Sequence, residues 1–132
     1  MASVFTKIIN GEIPCYKIAE NELFLAFLDI EPLREGHVLV VPKKEVDKVY
    51  DADDVYLQGW LLFARPIAKA IEAAFDCKRC GISFIGLEVP HAHMHLVPMN
   101  TANDLNFTNK PLRPSAEALK VVQERLLAVL KA

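Results

Sequence analysis

Pro90-His91-Ala92-His93-Met94-His95-Leu96-Val97-Pro98 holds three of the chain's four histidines, each separated from the next by one apolar residue. Successive side chains on a strand point to opposite faces. A strand over 91–98 therefore places His91, His93 and His95 on one face and Ala92, Met94 and Leu96 on the other. The apolar set suits a core, and the flanking prolines suit the strand's limits, where a missing N–H is tolerated. The imidazole set is harder to place. A buried ring nitrogen left without a partner costs roughly 1–3 kcal/mol, so a purely structural reading requires the ridge to face water. The alternative is that the ridge does chemistry.

The segments around this stretch define its setting. A second strand is expected over 81–87. A third, 37–42, opens with the remaining histidine, His37, and reads as buried on both faces. Residues 15–19 and 23–28 form two more strands around the polar Glu20-Asn21-Glu22 turn. Ser3 can cap a short helix over 3–10, with Gly11 at its end. Asp53 or Asp54 can cap a long helix to about residue 75, with Leu57, Leu61, Ala64, Ala68, Ile71 and Phe75 on its buried face and a bend near Pro66. Ser115 can cap a last helix that buries Leu119, Val122, Leu126 and Val129. Five strands joined mostly without helices predict an α+β domain with a largely antiparallel sheet.

The chain has 132 residues, enough for a single domain with one core, and no internal repeat. Its formal net charge of −2 argues against a broad basic face for nucleic acid. No apolar run approaches the roughly 18 residues of a membrane span. The first residues lack a basic, apolar leader pattern, and three cysteines do not suggest a disulfide framework, so a cytoplasmic protein is expected. Cys77-Lys78-Arg79-Cys80 has redox or zinc spacing. It falls between a helix and a strand rather than at the start of a helix, so it reads as two incidental thiols.

Two chemistries suit three aligned imidazoles. They can converge on zinc. Alternatively, a neutral imidazole can attack phosphorus and divide one hard displacement into two easier ones, while neighbouring donors stabilise the phosphoryl oxygens.

His91-Ala92-His93-Met94-His95-Leu96-Val97 resembles the H-φ-H-φ-H-φ-φ signature (φ, apolar) of the histidine triad (HIT) superfamily. Phe5-Thr6-Lys7-Ile8-Ile9-Asn10-Gly11-Glu12-Ile13-Pro14 looks like that family's amino-terminal segment. Ala26-Phe27-Leu28-Asp29-Ile30 resembles its nucleoside-binding strand, and Gly36-His37-Val38-Leu39-Val40-Val41-Pro42-Lys43-Lys44 the strand after it. The resemblance implies one HIT domain over 1–132 and action at the α-phosphate of a purine nucleotide, in a phosphoramidate or a dinucleoside polyphosphate. It implies His93 as the nucleophile, and His95 as a contact to the phosphate or leaving group that helps protonate it. His91 and His37 would orient the site, Asp29 would accept from the ribose, and Phe5, Ile8, Phe27 and Ile30 would wall the base. No cofactor and no metal at the triad are implied, and a homodimer is. Some relatives hold a structural zinc through an amino-terminal cysteine pair, and residues 3–7 contain none.

The sequence departs from the family pattern just before the triad. Many hydrolases of the family carry Gln and Ser or Thr there, where this chain has Leu87 and Glu88. Glu88 is either a carboxylate that tunes a triad histidine or receives an amine leaving group, or a solvated turn residue. The loss of polar phosphate contacts keeps a second reading open, a nucleotide-binding or scaffolding protein with little turnover. Trp60 and further apolar positions on the long helix suggest a second contact surface.

Overall fold

The structure is a computed structural model that describes residues 2–131. Helix α1 (Val4–Ile9) starts where the Ser3 hydroxyl accepts the Thr6 N–H at 3.0 Å. It ends at Asn10, followed by Gly11 at φ 80°. Strands β1 (Lys17–Glu20) and β2 (Phe24–Leu28) flank a turn in which Asn21 Oδ1 accepts from Leu23 and Phe24. Strand β3 (Val38–Pro42), helix α2 (Asp54–Ala74), strands β4 (Arg79–Phe84) and β5 (Met94–Met99) and helix α3 (Ala116–Lys131) follow. The fold is α+β, with the strands in one antiparallel sheet of order β1-β2-β3-β5-β4.

The register sorts the side chains into two faces. Ala26, Val40 and Met94 lie side by side, as do Leu28, Val38 and Leu96. They form the main core with Ala64, Ile67 and Ile71 of α2 and Leu119, Val122 and Leu126 of α3. On the opposite face Phe27, Leu39 and His95 are neighbours. There Leu25, Phe27, Leu39 and Val41 pack with Phe5 of α1. With cover on both sides, every residue of β2 and β3 is buried.

Three expectations are corrected. The strand over 91–98 is shorter at its start: β5 begins at Met94, and His91 and His93 lie in the irregular segment before it. Likewise β4 ends at Phe84, short of residue 87, because Gly86 at φ 74° turns the chain away. The buried face of α2 is also rotated from the expected one. Trp60 is buried and donates Nε1–H to Val40 O at 3.2 Å, which leaves Leu57 and Leu61 exposed. Trp60 is therefore a core residue rather than a surface contact. The helix runs unbroken through Pro66.

Candidate active site

The elements bring four histidines to one place. His95 projects from β5, His37 from the residue before β3, and His91 and His93 from the segment leading into β5. All four are buried: His91 is 0% exposed, His37 2%, His95 7% and His93 8%. The water-facing ridge is thereby excluded. Every buried side-chain nitrogen and oxygen among the described residues has a hydrogen-bond partner. Gly36, at φ 101°, makes the turn into His37, and a Cβ there would meet the Phe75 ring at 2.9 Å.

Because each histidine touches a group of known polarity, the ring protons can be placed. Leu33 N–H donates to His37 Nδ1 at 3.0 Å, so neutral His37 carries its proton on Nε2. That proton meets His95 Nδ1 at 2.9 Å, which puts the His95 proton on Nε2. His91 Nε2–H donates to Pro42 O at 2.9 Å, leaving Nδ1 to accept from Ser3 Oγ at 2.7 Å. His93 Nδ1–H donates to His91 O at 2.7 Å, leaving a lone pair on Nε2. The site thus offers one imidazole lone pair, on His93, and one imidazole N–H, on His95. Their rings sit 4.7 Å apart, centre to centre.

These assignments need neutral rings, and burial supplies that condition. It pushes the imidazoles of His37 and His95 well below their usual range, with neighbouring histidines adding to the effect. Burial also lowers His91 and His93, though the carbonyls they donate to and nearby carboxylates oppose it. Asp29 shows the reverse. Burial raises its carboxyl to about 6, and the charges of Glu31 and Glu88 add to the rise. Its Oδ1 accepts from Glu31 N at 2.9 Å, and its Oδ2 lies 3.7 Å from His37 Nε2, whose proton is committed to His95.

A cleft of about 390 Å³, a size suited to a small molecule, runs past these groups. Asp29, His37, His93 and His95 line it, with residues 85–88 on one side and Phe107, Thr108 and Asn109 on the other. Glu88 is exposed on the rim, close enough for its charge to act on Asp29 and His93, and Leu87 is 90% exposed. Phe5, Ile8 and Phe27 gather in the apolar cluster beside the triad, with the Phe5 ring 5.0 Å from that of His93. Ile30 stands apart, 61% exposed.

Other neighbours of the histidines were not singled out from the sequence. The Phe107 ring lies 4.5 Å from that of His95. The available signal was an aromatic residue inside a polar Asn- and Thr-rich loop, which needs a place to bury. Ser3 stood out only as a helix cap, and nothing in the sequence linked Glu45 to His91. Cys77 and Cys80 are free thiols between α2 and β4 and within β4. Burial and the Glu72 charge push Cys80 up to about 12, the opposite of a reactive thiolate.

His91 has both ring nitrogens engaged, so the three aligned histidines do not converge on a cation. Among the described residues, Asp29, His37 and His95 offer ligand atoms within 4.8 Å of one another. A cation there would have to expel the proton that joins His37 to His95, because Leu33 N–H holds the other His37 nitrogen.

Comparison with known proteins places the chain in a family. The sequence model of the HIT domain matches residues 10–102. The chain is 31% identical over 135 residues to adenosine 5'-monophosphoramidase hnt1 of Schizosaccharomyces pombe, covering 99% of this chain and 100% of that one. It is 38% identical over 98 residues to adenosine 5'-monophosphoramidase HNT1 of Saccharomyces cerevisiae, covering 74% of this chain and 62% of that one. Among solved structures, a HIT-like protein from Bartonella henselae superposes with a TM-score of 0.83 at 29% identity, over 96% of this chain and 95% of that one. With the HIT domain matched over most of its length and a relative aligned from end to end, the chain belongs to the HIT family.

Proposed function

We propose that the cleft binds a purine nucleoside phosphate, and that the protein is a nucleotide hydrolase or nucleotidyl transferase working through a nucleotidyl-histidine on His93. The observation that carries this reading is the Nδ1–H bond from His93 to His91 O, which leaves Nε2 as a nucleophilic lone pair at the cleft. In the first half-reaction, Nε2 bonds to the α-phosphorus and the bond from phosphorus to the leaving group breaks. In the second, water displaces His93 and frees the nucleoside monophosphate. His95 presents Nε2–H to the phosphoryl oxygens or the leaving atom. A departing amine accepts a hydrogen bond from His95 Nε2–H and takes up its proton from water in the cleft. His37 orients His95, and His91 orients His93.

Asp29 is assigned to the ribose hydroxyls, and Phe5, Ile8 and Phe27 to the base, with Ile30 as an outer lip. Glu88 sits where its charge reaches His93, which favours an amine over a polyphosphate as leaving group. Adenosine phosphoramidates are the preferred substrate class, since three relatives bear the name adenosine 5'-monophosphoramidase. Dinucleoside polyphosphates are the second class. A reading as a nucleotide-binding protein with little turnover draws support from residues 85–88, which bring no hydroxyl or amide side chain to the cleft.

The test is turnover of adenosine 5'-phosphoramidate and of a dinucleoside polyphosphate by the wild type and His93→Ala, followed by phosphorus NMR. Hydrolysis of the phosphoramidate that disappears in the variant is expected. Nucleotide binding without turnover in either protein would favour the binding reading.

Residues 1–132 are proposed as one domain, because all five strands share one sheet. A homodimer is proposed from the exposed apolar residues of α2 and of the edge strand β4. No helix among the described residues is long and apolar enough to cross a membrane. Cytoplasmic residence is proposed from the three free thiols.

A further inference from the structure

We propose that Ser3, held in place by Thr6 and Glu45, is a positioning residue for the reaction: its hydroxyl fixes the His91 ring, and the His91 carbonyl in turn fixes the proton of His93. The inference rests on His93 being the nucleophile.

The assignment follows from where each proton can go. Ser3 Oγ receives the Thr6 N–H at 3.0 Å. Glu45 Oε1 receives the Thr6 hydroxyl at 2.6 Å and the Ser3 N–H at 2.7 Å. The Thr6 hydroxyl is farther from His91 Nδ1, at 3.4 Å. With both Thr6 donors committed, the Ser3 hydroxyl proton goes to its nearest acceptor, His91 Nδ1 at 2.7 Å, rather than to Thr6 Oγ1 at 3.3 Å. Glu45 Oε1 and His91 Nδ1, two acceptors 3.9 Å apart, are bridged by these hydroxyls. The bonds from Thr6 and Ser3 hold the Glu45 carboxyl well below its usual range, so it remains an acceptor at neutral pH.

The His91 ring is thus held at both ends, by Ser3 ahead of α1 and by Pro42 O at the end of β3. Its backbone is also fixed. His91 N–H donates to Val89 O at 2.8 Å, and Ala92 N–H donates to Val46 O at 2.6 Å. The peptide between residues 91 and 92 therefore has one orientation, with its carbonyl 2.7 Å from His93 Nδ1. Without the Ser3 proton, Nδ1 of a fully buried ring loses its donor. Moving the ring proton to Nδ1 would relieve that loss but would break the bond to Pro42 O. Either way the His91 ring, the third anchor of this segment beside its two main-chain bonds, shifts and moves the Cα next to the carbonyl that holds the His93 proton, so the Nε2 lone pair is present for less of the time.

Helix capping and proton donation can be separated by substitution. Ser3→Ala removes both. Ser3→Asp keeps an acceptor for the Thr6 N–H but supplies no proton, and Ser3→Thr keeps both. The full chain is used throughout. Nitrogen-15 NMR of the histidine rings at neutral pH should show Nδ1–H on His93 in the wild type and in Ser3→Thr, and a mixture of tautomers in Ser3→Ala and Ser3→Asp. For the phosphoramidate, kcat should fall roughly ten- to a hundredfold in Ser3→Ala and Ser3→Asp with little change in KM, and Ser3→Thr should recover most of it. Unchanged His91 and His93 spectra in both Ser3→Ala and Ser3→Asp would overturn the proposal. So would kcat values that follow thermal stability while the tautomers stay as in the wild type. His93→Ala, run in parallel, tests the underlying reading. If it keeps full activity, or if the wild type has none, that reading fails, while the ring spectra still decide the role of Ser3.

Discussion

A histidine's role depends on what its second nitrogen touches, and at this site those partners lie from two to 88 residues away in sequence. His37 answers to Leu33 N, His91 to Pro42 O and Ser3, and His93 to a main-chain oxygen two residues back. Residue types and their alternation were legible in the sequence. The tautomers were not, because only folding brings these donors and acceptors together. Asp29 gives the test at this scale. In the proposed role its carboxyl, raised to about 6 mainly by burial, is ionised to accept from two ribose hydroxyls. Affinity for adenosine, which has no phosphate to titrate, should therefore weaken as pH falls from about 7 to about 5. Asp29→Asn should flatten that dependence. For stability the sign is opposite: a carboxyl with a raised folded pKa favours the folded state increasingly as pH falls through the same window. Calorimetric titration reads the binding effect. Equal pH slopes in the wild type and Asp29→Asn would remove Asp29 from the ribose.

Among the elements, the capped helices and strand order were readable because their signals are local. Ser3 caps α1, Ser115 Oγ accepts from Ala118 N at 3.1 Å ahead of α3, and the polar 20–22 turn separates β1 from β2. Alternation alone could not place the strand ends near residues 84 and 94, because the cleft needs the chain between them to leave the sheet. Nor could spacing orient α2, whose apolar residues wrap most of its circumference. Trp60 settles that choice by packing against Phe24 and Phe84. The residues left outside form a patch. Leu57, Leu61 and Leu62 of α2 are 43–60% exposed, and Ile82 and Phe84 lie on the edge strand β4. An unpaired edge beside apolar surface favours association. Light scattering at micromolar concentration should give a dimer, and the double variant Leu61→Glu, Ile82→Lys should give a monomer with the same far-ultraviolet dichroism. A monomeric wild type would contradict the assigned interface.

At the scale of the whole molecule, the sheet separates two tasks. One face carries α2 and α3 and most of the core, while the other carries α1, the histidines and the cleft. The alternating stretch revealed this division, since Ala92, Met94 and Leu96 face the core while the histidines between them face the site. What it did not reveal was the outer wall. Residues 100–112 are fastened at one end by Asp104, which accepts from Asn100 N, Thr101 N and Arg34, and at the other by Leu112 N–H to Pro32 O at 2.8 Å. This strap rests Phe107 on His95 and helps keep the His37–His95 pair dry. No local pattern announces such a long-range clasp.

The most direct measurement is the covalent intermediate itself. Wild-type protein is mixed with adenosine 5'-phosphoramidate and quenched within milliseconds into alkaline denaturant, where a phosphorus–imidazole bond survives. Mass spectrometry of the intact chain and of its peptides then follows. An adenylyl group on His93, absent from His93→Ala, is the predicted result. Steady hydrolysis with no adduct at any quench time, or an adduct on another residue, would contradict it.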